Sequence, residues 1–358
     1  MISISLSPNL EKDDFKLALK MLFNPRSWIL GNSEQLLTKR FSEIVGKDNF
    51  IYPINSGRSG LFLILKALNI NKSSEIIIQA LTCIVVPNAI RALGAIPVYA
   101  DVDSSFNLDP RDFEKKITKH TKAVIVQHTF GIPANMDLII KIAKKHNILV
   151  IEDCAHSLGV SHKGKPLGTI GDVAFYSFGR DKIISSVFGG MIITKDKVLS
   201  DKLDRLINQL GYNSRFFVFK QLLHPIVTYP AIKYYSKIGK FIFYLASKTK
   251  LLSRAVFEKE KIGIQPDIFP AKMPNALSVL AINQLDKLKR FNARRGKIVS
   301  LYKSGLKKTK LILPNIPNNS IMLRFPILSE KSSEILELFR KKKIYLGDWY
   351  RNIIMPET

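Results

Sequence analysis

Through the first two hundred residues, short apolar runs suited to strands buried on both faces alternate with stretches whose apolar positions recur three and four apart. Helical patterning covers 33–45, with Asn32 or Ser33 as its cap, and then 59–68, 86–93, 112–117 and 135–146. Strand-like runs lie at 75–79, 97–100, 123–127, 148–151, 173–178 and 191–194. This alternation predicts an α/β fold with a doubly wound, mostly parallel sheet. No internal repeat or low-complexity tract interrupts it. Beyond residue 270 the pattern predicts a long helix at 275–303, a strand at 320–326, a helix at 332–343 and a short strand at 344–346, the start of a smaller domain.

The segment between these halves has a different texture. From Asp204 to Glu258 no acidic residue intervenes, while Arg215, Lys220, Lys233, Lys237, Lys240, Lys248, Lys250 and Arg254 recur. Phe216, Phe217, Phe219, Tyr229, Tyr234, Tyr235, Phe241, Phe243 and Tyr244 interleave with them. The chain therefore divides into a large domain at 1–211, a basic, aromatic helical insert at 212–269 and a C-terminal small domain at 270–358. No apolar run in the insert approaches the roughly 20 residues that span a bilayer. Two readings stay open. The helices lie in the headgroup layer of an anionic membrane, through 212–257, or their aromatics pack on the protein while the lysines are solvated.

Composition narrows the class. At 358 residues, 46% hydrophobic and 23% charged, the chain is long enough for two domains and has the balance of a globular protein. Its two cysteines, Cys83 and Cys154, argue against a disulfide scaffold, and the start MISISLSPNLEKDD lacks the pattern of a signal peptide, so a cytoplasmic location is expected. The net charge of +26 implies attraction to a polyanion: nucleic acid, acidic lipid or a diphosphate-bearing substrate. No zinc-ligand spacing or nucleic-acid-binding motif accompanies it, which sets nucleic acid aside and predicts no metal.

Candidate chemistry gathers around two positions. Glu152 and Asp153 close the apolar run 148–151, at the carboxyl end where open α/β sheets place ligands. A partly desolvated carboxylate there requires a cationic partner, and a protonated pyridine nitrogen would serve. Lys182 sits in a polar loop with Ser177, Ser185 and Ser186, between the runs 173–178 and 191–194. Lysines in such surroundings form Schiff bases with carbonyl compounds, although an Asp and a Lys are more commonly surface charges or an ion pair. Asn55, Ser56 and Gly57 precede the 59–68 helix, where free amides of Gly57 and Arg58, with the Ser56 or Ser59 hydroxyl, suit a phosphate. An ordinary capped helix has the same residues.

The runs EDCAHSLG at 152–159 and GDVAFYSF at 171–178, followed by Lys182 and the Gly189–Gly190 pair, resemble the DegT/DnrJ/StrS-type nucleotide-sugar aminotransferases. Further matches occur in order: NSGRSGLFLILKAL at 55–68, NAIRALGAIPVYADVD at 88–103, HTFGIPANMDLI at 128–139 and NQLDKLKRFNARR at 283–295. The likeness spans roughly residues 30 to 350. It implies a fold-type-I transferase, with a mostly parallel seven-stranded sheet and a smaller, apparently incomplete α+β C-terminal domain.

The same resemblance implies pyridoxal 5′-phosphate as cofactor, with Lys182 as its Schiff-base lysine and proton carrier and Asp153 on its ring nitrogen. Ser56, Gly57 and Ser177 would hold the phosphate. Arg58 departs from the small hydroxyl residue of many relatives and would either touch the phosphate or point outward. Cys83, beside Thr82, replaces an aromatic that commonly stacks on the ring; His156 lies near the ring's phenolic oxygen. Asn213, or alternatively Asn275, would reach a neighbouring subunit's cofactor in a homodimer. The implied reaction moves an amino group, from glutamate, to a keto sugar carried on a nucleotide, for a polysaccharide or lipopolysaccharide. Related sugar dehydratases carry histidine at the position of Lys182, and a catalytically silent, membrane-associated scaffold is a further alternative.

Overall fold

The computed structural model describes residues 2–3, 7, 9–249, 252–317, 320–347 and 354–355. Its centre is a seven-stranded sheet of β1 (Phe50–Ile54), β2 (Glu75–Gln79), β3 (Ile96–Ala100), β4 (Thr121–Gln127), β5 (Leu149–Asp153), β6 (Val173–Ser177) and β7 (Gly190–Thr194). In space they run β1-β7-β6-β5-β4-β2-β3. All are parallel except β7, which is antiparallel to both β1 and β6. The expected architecture is present, with β1 as an addition. That strand reads FIYPI, its proline faces Met191 of β7, and proline is tolerated because β1 is an edge.

Each strand sends alternate residues to opposite faces, and both faces are apolar. Ile76, Ile78, Ile125, Ile151, Phe175 and Ile192 meet α3 (Gly57–Ala67), α4 (Val85–Arg91) and α7 (Lys197–Asn208). On the other side Ile77, Val124, Val126 and Val150 meet α5 (Pro110–Lys115) and α6 (Met136–Lys145). Ala174, Tyr176, Met191 and Ile193 there cover α2 (Ser33–Val45) and α11 (Asn275–Leu285). Double burial is why the strands read as unbroken apolar runs rather than alternating ones.

Three expectations need correction. The helix at 275–303 is two, α11 and α12 (Leu288–Leu306), parted at Asp286–Lys287. Residues 320–326 form no strand; this segment lies instead along the short turn Thr129–Gly131, where the Leu323 amide donates to the Phe130 carbonyl at 2.8 Å. The helix expected at 59–68 begins at Gly57. The 344–346 strand is Ile344–Tyr345, parallel to Ile2–Ser3, and 332–343 is α13 (Ser332–Lys341).

The basic segment forms α8 (Arg215–Lys233), a π turn at Tyr235–Gly239, α9 (Lys240–Lys248) and a short α10 (Glu258–Lys261). Helix α8 packs on the protein. Tyr229 meets Phe15 of α1 (Lys12–Leu22) at 5.6 Å between ring centroids, Phe219 meets Trp28 at 6.1 Å, and Phe217 meets Phe188 at 5.5 Å. Lys250 lies outside the described residues. No helix among the described residues is long and apolar enough to cross a membrane.

The junction of β7 with β1, β6 and α3 is closely packed near the sheet's carboxyl edge. A Cβ on Gly190 would stand 2.7 Å from the Gly57 nitrogen, the Ser56 carbonyl carbon and the Tyr176 oxygen, all backbone atoms that cannot swing away. Gly190→Ala is expected to cost about 1–3 kcal/mol by overpacking, read as a lowered urea midpoint. An unchanged midpoint would mean that the backbone there yields freely.

Candidate active site

Three segments converge beyond the carboxyl ends of β1, β5 and β6. After β1, Ser56 takes extended backbone geometry and caps α3, its hydroxyl accepting the Ser59 N–H at 3.2 Å. Ser59 in turn donates to Asn55 at 2.6 Å, so the capping hydroxyls are oriented from behind. The Gly57 and Arg58 amides have no partner among the described residues. A Cβ on Gly57 would stand 2.9 Å from the Ser177 Cβ, which brings the Ser177 side chain against the helix start. Open amides, the positive end of an eleven-residue helix and flanking hydroxyls make an anion cradle.

Strand β5 ends on two carboxylates that face opposite ways. Glu152 is fully buried and saturated: Oε1 accepts the Ile170 and Gly171 amides at 2.8 and 2.7 Å, and Oε2 accepts the Gly168 amide at 2.8 Å and His128 Nε2–H at 3.0 Å. His128 Nδ1 accepts the Ala134 N–H at 3.2 Å, which leaves Nε2 to donate. Burial opposes ionisation of Glu152, but His128 and the Gly171 and Gly168 amides outweigh it and hold the carboxyl below its usual range. Cys154 stands near this pair, yet the His128 nitrogens and Glu152 oxygens are already engaged, so the three do not form an open ligand set.

Asp153 is the contrary case. It is equally buried, but its one hydrogen bond among the described residues is the Ala155 amide at 2.9 Å. Burial pushes its carboxyl up, and the Ala155 amide, Lys182 and His128 only partly offset this. A buried acid in that state binds a cation or an N–H donor readily.

Lys182 is carried on a loop closed at its neck, where Phe178 N–H donates to Gly189 and Ser186 N–H donates to Phe178. Asn9 donates to the carbonyls of Lys182 and Ile183 at 2.8 and 2.9 Å, and Arg295 of α12 donates to Ile183 and to Asn9. Arg324 pairs with the half-buried Asp181 at 2.9 Å. The lysine Nζ lies 3.0 Å from His156 Nε2. His156 stacks on Phe130 at 6.0 Å, its Nδ1 facing the Phe130 amide at 3.3 Å. Burial first, then the charges of Lys182 and Arg324, push this imidazole well below the usual histidine range. Cys83 lies within the field of Lys182 and Arg58; burial raises its thiol, so it stays protonated.

Lys182, Asp153, His156, Cys83, Ser56, Gly57 and Ser177 therefore share one region. Arg58 does not direct its guanidinium to the cradle. It pairs with Glu260, donates to the Ala255 carbonyl at 2.6 Å and lies over the Phe269 ring. Arg180 is likewise drawn to the Ser253 carbonyl and hydroxyl, and burial pushes it down to about 10. Asn213 uses both ends of its amide within its own chain, accepting from Asn55 at 2.9 Å and donating to Ile268 at 2.9 Å. Asn275 accepts the Ser33 N–H at 3.1 Å and donates to the Ser27 carbonyl at 2.7 Å. Sequence reasoning gave no role to His128, Phe130, Asn9, Arg295 or Arg324. Only the HTFGIP run pointed toward the first two.

A sequence model described as the DegT/DnrJ/EryC1/StrS aminotransferase family matches residues 9–228 and 245–356. A GDP-perosamine synthase from Escherichia coli O157:H7 is 36% identical over 206 residues, 57% of this chain and 55% of that protein. A UDP-N-acetyl-3-dehydro-alpha-D-glucosamine 3-aminotransferase from Acidithiobacillus ferrooxidans is 35% identical over 218 residues, 57% of this chain and 58% of that one. The matches thus span little more than half of these curated relatives. Among solved structures, ntda from Bacillus subtilis with bound cofactor PMP superposes with a TM-score of 0.73 at 20% identity, covering 98% of this chain and 72% of that one. At that identity the likeness is one of fold.

The opposed carboxylates give a pH signature. Glu152 titrates lower in the folded chain than its ordinary value of 4.5, so its stabilisation is complete above that pH and fades as pH falls through the folded value. Asp153, shifted the other way, is common to parent and variant and cancels in their difference. Glu152→Gln, which turns an amide N–H either toward the Ile170 and Gly171 amides or toward the Gly168 amide and His128, is expected to cost about 2–4 kcal/mol at pH 7 and less at pH 4. Urea unfolding at the two pH values measures this, and an equal loss at both would contradict the assignment.

Proposed function

The chain belongs to the DegT/DnrJ/EryC1/StrS aminotransferase family, and from that premise we propose that it moves an amino group from an amino acid to a keto sugar carried on a nucleotide, with pyridoxal 5′-phosphate as cofactor. The observation that carries this reading is the placement of Lys182 Nζ beside His156, in the field of a buried Asp153 that lacks a cation. The residues suit the cofactor. The Gly57 and Arg58 amides with Ser56 and Ser177 would hold its phosphate, Asp153 its ring nitrogen and Lys182 its aldehyde carbon. Pyridoxal phosphate supplies a ring into which the electron pair left by a departing Cα proton spreads.

The chain's own groups do the rest. Asp153, fixed by the Ala155 amide, favours a protonated ring nitrogen and so keeps the ring electron-poor. Lys182 Nζ takes the proton from one carbon and returns it to the next, which requires a side chain that swings on a firmly held backbone. Asn9 and Arg295 supply that hold. His156, kept neutral by burial, orients Nζ without competing with it for charge. Phe130 walls the imidazole.

A nucleotide-linked sugar agrees with the names of the matched relatives, a GDP-perosamine synthase and an aminotransferase of a UDP-linked sugar, and with the chain's excess of basic residues. Glutamate is the donor we favour, and the product would enter a surface polysaccharide or lipopolysaccharide. The working unit is a homodimer in the cytoplasm, with the basic segment 212–257 giving it a peripheral seat at the inner face of an anionic membrane.

Lys182→Ala is expected to lose the visible absorbance that borohydride bleaches in the parent protein and to lower amine transfer at least about 10³-fold. Spectra with added cofactor and a glutamate-dependent transfer assay on keto-sugar nucleotides provide both readouts. Undiminished transfer by the variant would refute the role given to Lys182. A colourless parent that ignores added cofactor would favour a silent scaffold.

A further inference from the structure

The aromatic residues of the basic segment divide into two sets. Those of α8 are largely spent on the protein's interior, against Phe15, Trp28 and Phe188. Those of the π turn and α9 largely are not. Ile238, Phe241 and Tyr244 are 59%, 66% and 62% exposed, and Leu245 is exposed as well. Positions 238, 241 and 245 follow helical spacing, so they share a face, while Ala246 is buried and Phe243 turns back toward Tyr235. Lys237, Lys240 and Lys248 of the same stretch are exposed, with Lys240 Nζ 5.7 Å from the Tyr235 ring centroid.

The face is held firmly. A Cβ on Gly239 would stand 2.0 Å from the Ala231 carbonyl oxygen, so the turn into α9 seats directly on α8, whose own root is buried. The family's sequence pattern stops at 228 and resumes at 245, so most of this face lies in chain that the pattern does not include. An exposed apolar patch beyond what the fold requires marks a contact surface.

We propose that residues 234–248 lie flat on an anionic lipid surface. Ile238, Phe241, Tyr244 and Leu245 enter the boundary between headgroups and acyl chains, and Lys237, Lys240 and Lys248 meet the phosphates at the rim. This rests on the peripheral-membrane reading above and narrows it from the whole of 212–257 to one helix and the turn before it. Charge complementarity selects the occupant, since no acidic residue intervenes between Asp204 and Glu258. The layout favours lipid over nucleic acid. The exposed stretch is apolar over most of its length, with Lys237 before it and Lys248 after it along the chain, whereas a phosphate backbone demands cations throughout.

Flotation of the full chain with phosphatidylcholine vesicles, and with vesicles containing phosphatidylglycerol, tests both levels. The parent is expected to float with the anionic vesicles only, and to be released by salt. The variant Phe241→Ser/Tyr244→Ser/Leu245→Ser is expected to bind them at least tenfold more weakly, with its melting temperature and its transfer activity on soluble substrate unchanged. Lys237→Glu/Lys240→Glu/Lys248→Glu is expected to lose binding to the same vesicles with its fold equally intact. A parent that floats with neither vesicle ends the peripheral-membrane reading itself. A parent that floats while both variants float equally well ends only the assignment to α9. Competition by single-stranded DNA at equal phosphate, or a lipid-free oligomer that the serine variant disperses, would overturn the proposal in favour of nucleic acid or a second copy.

Discussion

Two successive carboxylates at the end of one buried strand impose the order on which the site depends. Because neighbouring side chains in a strand point to opposite faces, Glu152 and Asp153 meet entirely different surroundings one residue apart. Glu152 gathers three backbone amides and an imidazole, which ties the 168–171 turn and His128 to the strand end. With β5 fixed from one side, Asp153 is held rigidly on the other in a dry environment that leaves it short of a partner. The carboxylate with its needs met ties the fold together, and the one with its needs unmet is the group to which the proposed function gives a ligand.

The anion cradle obeys a comparable division. Its donors are backbone groups of α3, and their placement depends on the missing side chains of Gly57 and Gly190. The guanidinium groups nearby are kept out of it. Arg58 and Arg180 are both drawn to residues 253–260, by Ser253, Ala255 and Glu260, so this strap gathers the mobile charge while fixed dipoles line the cradle. Fixed dipoles lose little entropy on meeting a phosphate, whereas long cationic side chains must be ordered to do so.

Much of this was legible in the sequence, for physical reasons that differ from element to element. Strands β2, β4 and β5 stood out because burial on both faces makes their central positions a continuous apolar run, with polar residues only toward the ends. The half-buried β1, broken by Pro53, did not. Asp153 and Lys182 were recognisable from the runs around them. The destination of Arg58 was not, because Glu260 is distant in sequence and nothing near Arg58 announces it. Glu152 was named only as the end of a strand, since its saturation by the 168–171 amides is a property of backbone direction rather than residue type. The expected strand at 320–326 failed for want of a neighbour: its apolar residues cover the Thr129–Gly131 turn instead of joining a sheet.

The fastening of the lysine loop has a consequence for how the protein matures. The loop is clasped by Asn9 from one end of the sequence and by Arg295 and Arg324 from far downstream. Such long-range closures come late, because the chain's entropy opposes them until most other contacts exist. On a ribosome, Lys182 emerges long before its two arginine clasps have been translated. A nascent chain at that stage holds Lys182 on a slack tether, and the role proposed for that lysine becomes open to it only when the last third of the polypeptide has been delivered and docked.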